Sequence, residues 1–261
     1  ESAFVDAKDI MSVVTKMISS VFKEALNVDL GEFKVITYAD AIEFYGIDKP
    51  DLRNPLKFVE VKDLFVNSDF KVFNQPANAE DSRIAALRVP GGENLTRKQI
   101  DDYTDFVGTY GAKGLAYIRV EDPSLGAEGL QSPILKFIDE KIILEILSVL
   151  KVEKGDIIFF GAGKRKIVND SLAALRDLVA KDLNLLISEW APCWVTDFPM
   201  FELSNSGSLT PLHHPFTAPR CSIKALQENP LLALTDAHDV VLNGTELGGG
   251  SVRIHDHEMQ S

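Results

Sequence analysis

Apolar side chains recur at Ile10, Met11, Val13, Val14, Met17, Ile18, Val21 and Phe22. That is the spacing of one helix face, so an amphipathic helix is predicted over residues 6–26, opened by Asp6 or Asp9 at the positive end of its dipole. A strand over Phe33–Tyr38 and a helix over Ala39–Tyr45 follow. The stretch Asp48-Lys49-Pro50-Asp51-Leu52-Arg53-Asn54-Pro55 then ends helical structure, because proline lacks the amide donor. Further on the pattern alternates. Strands are expected over Phe70–Phe73, Ile84–Val89, Leu115–Val120 and Asp156–Phe160. Helices are expected from the capping box Thr96-Arg97-Lys98-Gln99 to Tyr110, over Pro133–Leu150 with Ile134, Phe137, Ile138, Ile142 and Ile146 on one stripe, and over Ile167–Leu183. Pro192–Glu202 reads as extended, and Asp239–Leu242 with Glu246–Ile254 as a hairpin about Asn243-Gly244.

This succession predicts an α/β fold of the α+β kind in three segments: 1–56, 57–186 and 187–261. The middle one has its own apolar faces and can fold as a domain of its own.

Composition narrows the function classes. The chain has 261 residues, 45% hydrophobic and 25% charged, with a net charge of −12. Such a surface repels polyanions at long range and excludes a generic nucleic-acid coat. Lys164-Arg165-Lys166 is a local basic patch that also reads as a solvated helix start. Two cysteines, Cys193 and Cys221, argue against a disulfide scaffold and a zinc ribbon. No apolar run is long enough for a bilayer and the start lacks a signal peptide's features, so no membrane partner and a cytoplasmic location are expected. An opening on Glu1 followed almost at once by a helix suggests a piece of a longer protein.

Candidate chemistry lies late in the sequence. Gly161-Ala162-Gly163-Lys164 invites a phosphate-loop reading, but Ile158 and Arg165 stand where glycine and Ser or Thr are needed, and a glycine turn between strand and helix is the better account. His213, His214, His238, His255 and His257 lack zinc-motif spacing. Gly248-Gly249-Gly250 inside a strand is costly in backbone entropy and makes sense where a flat ligand lies against the chain; the plain alternative is a kinked strand with surface charges. Glu246 and Arg253 bracket it. Arginine suits a bidentate grip on a carboxylate, and glutamate can hold a metal ion, an amino group or a ribose hydroxyl. Their odd separation puts them on opposite strand faces unless a residue is accommodated between them, so a bulge is expected between Gly248 and Ser251.

Asp197-Phe198-Pro199-Met200-Phe201-Glu202, His213-His214-Pro215-Phe216-Thr217 and Gly248-Gly249-Gly250-Ser251-Val252-Arg253-Ile254-His255, in that order, resemble the late catalytic-domain sequence of bacterial aspartyl-tRNA synthetases. Asp48-Lys49-Pro50-Asp51-Leu52-Arg53, Leu87-Arg88-Val89-Pro90-Gly91-Gly92, Tyr110–Tyr117 and Phe159-Phe160-Gly161-Ala162 resemble the same family.

The resemblance implies part of a class II antiparallel catalytic sheet with flanking helices, interrupted by an inserted α+β domain of the GAD type at about 57–186. It implies L-aspartate, ATP and tRNA as partners, Mg2+ as cofactor, and a homodimeric full-length parent. His213 would contact aspartate, Arg253 would clamp its side-chain carboxylate, and Glu246 would lie on the ATP side through magnesium; His214 would be a lesser contact or a loop support. No protein nucleophile is implied. The family's early motifs would precede Glu1 and its final motif would follow Ser261, so the chain alone is expected to be inactive. A second reading is a non-catalytic tRNA-interaction module related to the tRNA-dependent amidotransferase.

Overall fold

The computed structural model of the protein describes residues 1–204 and 207–260. In chain order the elements are α1 (Ala7–Leu26), β1 (Lys34–Thr37), α2 (Tyr38–Tyr45), β2 (Phe58–Glu60), α3 (Lys71–Ala77), β3 (Ser82–Val89), α4 (Arg97–Gly108), β4 (Ala116–Val120) and β5 (Leu130–Gln131). There follow α5 (Glu140–Leu150), β6 (Ile157–Lys164), α6 (Arg165–Asp182), β7 (Pro192–Thr196), β8 (Phe201–Leu203), β9 (Leu209–Pro211), α7 (Ile223–Glu228), β10 (Ala237–Leu242), β11 (Thr245–Ser251) and α8 (His257–Gln260). The fold is mixed α+β. No helix among the described residues is long and apolar enough to cross a membrane.

The chain divides into two compact units, 1–41 with 48–53 and 188–261, and 42–47 with 54–187. The second unit's main segment, 54–187, compares with the 57–186 read from the sequence, but residues 42–47 also belong to it.

The first unit is built on a four-stranded sheet, β1-β7-β10-β11. It is antiparallel apart from the β1–β7 pair, which runs parallel. One face carries Trp194, Val240 and Leu242 beneath Ile18 of α1, with Leu30 and Phe33. The other carries Cys193, Val195, Ala237 and Val241 against Ala41 and Phe198. The helix α1 starts where Asp6 and Asp9 form a reciprocal capping box, so both acids named in the sequence take part.

The second unit holds an antiparallel five-stranded sheet, β2-β3-β6-β4-β5. Strict alternation sorts its two cores. Ala85, Leu87, Val89, Ile157 and Phe159 face α4 and α6, while Ile84, Ala86, Ile158 and Phe160 face α3 and α5. Alternating apolar residues on both faces are what helices on both sides require.

Three sequence expectations fail here. Phe70–Phe73 is the start of helix α3: Phe73 is needed beside Phe65 and Phe160, and the turn from Phe70 aims it there. The helix expected over Pro133–Leu150 is a short 3-10 turn at Leu135–Phe137 and then α5, because Asp139 in extended conformation breaks the run. Gly161–Lys164 is not a turn; it continues β6, and Gly161 lets α6 approach, since a Cβ there would lie 2.9 Å from Leu172 and Val168.

Two buried arginines fix the flanking segments to this unit. Arg83 is fully buried on β3, donating to the carbonyls of Ile42 (3.1 Å) and Glu43 and to Asn169 (2.8 Å), and pairing with Glu60 at 3.0 Å. Arg176 on α6 donates to the carbonyls of Leu56 (2.7 Å) and Asn54 (2.6 Å) and stacks over Tyr45. Removing one partner of such a buried network strands the other. Arg83→Ala is therefore expected to destabilise the second unit by about 3–5 kcal/mol in chemical denaturation; a loss below about 1 kcal/mol would show that the network carries little.

Candidate functional site

The site begins at the β10–β11 hairpin. Its turn, Asn243-Gly244, has positive φ at both residues (53° and 80°), the geometry that a two-residue hairpin matching strand twist demands. Leu242 pairs with Thr245 and Val241 with Glu246; the register then shifts so that Val240 pairs with Gly248, leaving Leu247 as the extra residue. A bulge is thus present, but at Leu247 and not between Gly248 and Ser251.

Side-chain bulk gives the reason. The glycines must stay in register because the partner strand's side chains lie over them. A Cβ on Gly249 would fall 2.1 Å from Asp239 Oδ1, and one on Gly250 would fall 3.0 Å from His238 Nε2. Gly248 alone has open space where a Cβ would stand. Two of the three glycines are therefore cleared for this protein's own side chains, a cause that the ligand-against-backbone reading left out.

The bulge resets the strand's parity. Glu246, Gly249 and Ser251 are opposite Val241, Asp239 and Ala237, and so share the sheet face of Cys193 and Val195. Continuing the alternation brings Arg253 to that face as well.

The histidine loop is laid against the same strand. Ala218 N–H donates to the Val252 carbonyl and Ile254 N–H to the Phe216 carbonyl, both at 2.8 Å, and Thr217 bridges to Arg253. The His213 ring meets Phe198 edge to face at 4.2 Å. His214 supports the loop: its Nδ1 accepts from Phe216 N–H (3.2 Å) and its carbonyl from Thr217 N–H (2.9 Å). Arg220, paired with Asp197 and Asp236, ties the end of β7 to the approach of β10. His213, Glu246 and Arg253 all lie in the first unit, with Glu246 and Arg253 exposed.

The electrostatics of this face are acidic. Burial pushes the His213 imidazole below its ordinary value, against the opposing pull of Asp48 and Glu246. Burial, then Glu246 and Asp48, push the Asp239 carboxyl up to about 7. Tyr38 is raised by burial, Asp48 and Glu202. Asp48 reaches the site on a loop where Asp51 and Arg53 form a bidentate pair with a closest approach of 2.7 Å.

Asp239, which the sequence reading treated only as a strand residue, is a buried carboxylate in the field of Glu246. An acid at the head of Asp239-Val240-Val241-Leu242, a buried run, is the signal that marks it. Among the described residues no group of three or more His, Cys, Asp or Glu is placed to hold a metal ion.

The opposite sheet face has a cavity of about 300 Å³ lined by Ile10, Val14, Met17, Trp194, His238 and Gly248, among others. His238 Nε2 is buried there without a hydrogen-bond partner, and burial lowers the ring's pKa.

A raised carboxyl has a sign that can be tested. Between the ordinary value of 3.8 and about 7 the folded Asp239 binds more protons than the unfolded one, so its contribution to stability is full below 3.8 and is lost as pH rises through 7. At about 1.4 kcal/mol per pH unit the loss is bounded near roughly 4 kcal/mol. Asp239→Asn is expected to remove that slope from a melting-temperature profile between pH 4 and 8; an unchanged slope would show that the carboxylate is not held in this field.

Residues 73–172 match the GAD domain, a domain found in class II aminoacyl-tRNA synthetases and in GatB-like proteins. The matched stretch runs from α3 to α6, inside the second unit. That stretch is similar to a domain linked to tRNA-synthetase-related function.

Proposed function

We propose that the chain is part of an aspartate–tRNA ligase of the bacterial type, which activates L-aspartate with ATP and passes the aspartyl group to tRNA in the cytoplasm. The observation that carries this reading is the bulge at Leu247, which puts Glu246 and Arg253 on one sheet face beside the stitched-in His213 loop.

In this reading Arg253 clamps the side-chain carboxylate of aspartate, and His213, with its pKa lowered, contacts the amino acid as a neutral ring. The α-carboxylate of aspartate attacks the α-phosphorus of ATP, and a P–O bond forms as pyrophosphate leaves. A ribose hydroxyl of tRNA then attacks the acyl carbon of the adenylate, loses its proton and forms the ester as the acyl–phosphate bond breaks and AMP leaves. The chain supplies orientation and charge, with no covalent nucleophile. Glu246, joined by Asp239, would hold Mg2+, whose charge offsets that of the phosphates. An asparagine amide cannot accept the paired guanidinium as a carboxylate does, so Arg253 also discriminates.

The test is amino-acid-dependent ATP–pyrophosphate exchange by the full-length parent, taken to be a homodimer. Exchange is expected with L-aspartate and not with L-asparagine. Arg253→Gln is expected to raise the aspartate KM by about 100-fold or more, in line with roughly 2–5 kcal/mol for truncating a buried charge pair. The 261-residue chain alone is expected to show no exchange. Exchange with a different amino acid, or an Arg253→Gln variant with unchanged KM, would overturn the assignment.

The second reading, a non-catalytic tRNA-interaction module related to the tRNA-dependent amidotransferase, is favoured by the position of the GAD match, which is confined to the middle of the chain. It predicts tRNA binding without any exchange activity in the parent.

A further inference from the structure

The sheet of the second unit is incomplete on one side of β6. β6 pairs with β3 along its whole length, from Ile157 to Lys164. β4 pairs with it only from Ile157 to Phe160, the last partners being Ala116 and Phe160. Residues 111–115 do not continue the ladder beside Gly161–Lys164.

The phase of the ladder says which groups are left. Val120 N–H donates to the Asp156 carbonyl, so the even-numbered residues of β6 turn their amide groups toward β4. The Val61 N–H bond to the Ile84 carbonyl agrees, since it directs even-numbered β3 residues toward β2 and the odd ones toward β6. The N–H and C=O of Ala162 therefore point to the side that β4 has left.

A cavity of about 800 Å³ fills that split. Phe70, Phe73 and Ile134 of its lining belong to the core on one face of the sheet, and Leu115, Val168 and Leu172 to the core on the other. Among the described residues, Lys113 and Lys164 are the only charged side chains lining it, in a chain of net charge −12. Gly114 and Gly163 have open space where a Cβ would stand, so nothing crowds the backbone.

We propose that this open edge of β6 is a docking site for an extended acidic peptide segment of another protein, which adds a strand beside Ala162. Main-chain bonds to the free edge supply register, the two apolar walls receive side chains that alternate along the added strand, and the lysines at 113 and 164 take its carboxylates. An open edge is a hazard for indiscriminate pairing, and positive charge at its rim admits acidic strands while repelling basic ones.

The test uses fluorescence anisotropy on the full chain. The probe is a labelled peptide with a short Val/Ile run between pairs of Glu, and its counterpart carries Lys in place of Glu. Saturable binding of the acidic probe is expected, weakened at least about tenfold by Lys113→Glu with Lys164→Glu and lost with Ala162→Pro, which removes the edge donor. The lysine double variant is on the surface and guards against a misfolded proline variant, with circular dichroism checking both. No saturable binding, equal binding of the basic counterpart, or indifference to the lysine changes would overturn the proposal. So would displacement of the probe by single-stranded RNA more readily than by unlabelled peptide, which would mark a nucleic-acid site.

Discussion

One extra residue in one strand decides what the sheet of the first unit presents. Without Leu247 set aside, Glu246 and Arg253 would project to opposite faces, and the acidic face would keep only one of them. The bulge sits where it does because the strand is pinned on both sides. The Asn243-Gly244 turn fixes pairing at Leu242 and Val241, and the side chains of Asp239 and His238 fix Gly249 and Gly250. The surplus residue has one place left, opposite the step from Val240 to Val241. Its leucine side chain is about half exposed there, at 47%.

The same pinning explains the chemistry of the face. Asp239 can be buried at 7% only because Gly249 offers no Cβ, and burial beside Glu246 and Asp48 is what raises its carboxyl. Two carboxylates held in a common field favour a cation between them, and Arg253 lies farther along the same face. In the proposed reading, a small acid bearing a carboxylate at one end and meeting phosphates at the other is set against this order of charges. The site is thus a consequence of backbone register more than of any single residue.

Much of this was legible in the sequence, and the failures are instructive. Asn243-Gly244 announced its turn, Thr96 and Gln99 their capping box, and the parity of Glu246 and Arg253 the need for a bulge. The bulge's position was not legible, since it depends on which side chains of β10 overlie which glycines. Asp239 was passed over because strand alternation describes faces and not fields. Phe70–Phe73 looks like a strand locally, yet the aromatic cluster around Phe65 and Phe160 selects a helix. Gly161–Lys164 looks like a turn, yet β3 extends the ladder through it. In each case the deciding contact comes from residues distant in sequence.

The account's central claim is that the register at Leu247 assembles the site. Deleting Leu247 alone, or Leu247 together with Gly248, from the full-length parent and measuring aspartate-dependent ATP–pyrophosphate exchange tests it most directly, with circular dichroism to show that the fold survives. Exchange is expected to survive the single deletion, which leaves Glu246 and Arg253 six residues apart on one face of a regular strand. It is expected to fall to background in the double deletion, which leaves them five apart on opposite faces. A folded double-deletion variant that retains exchange near the parent's level would contradict it.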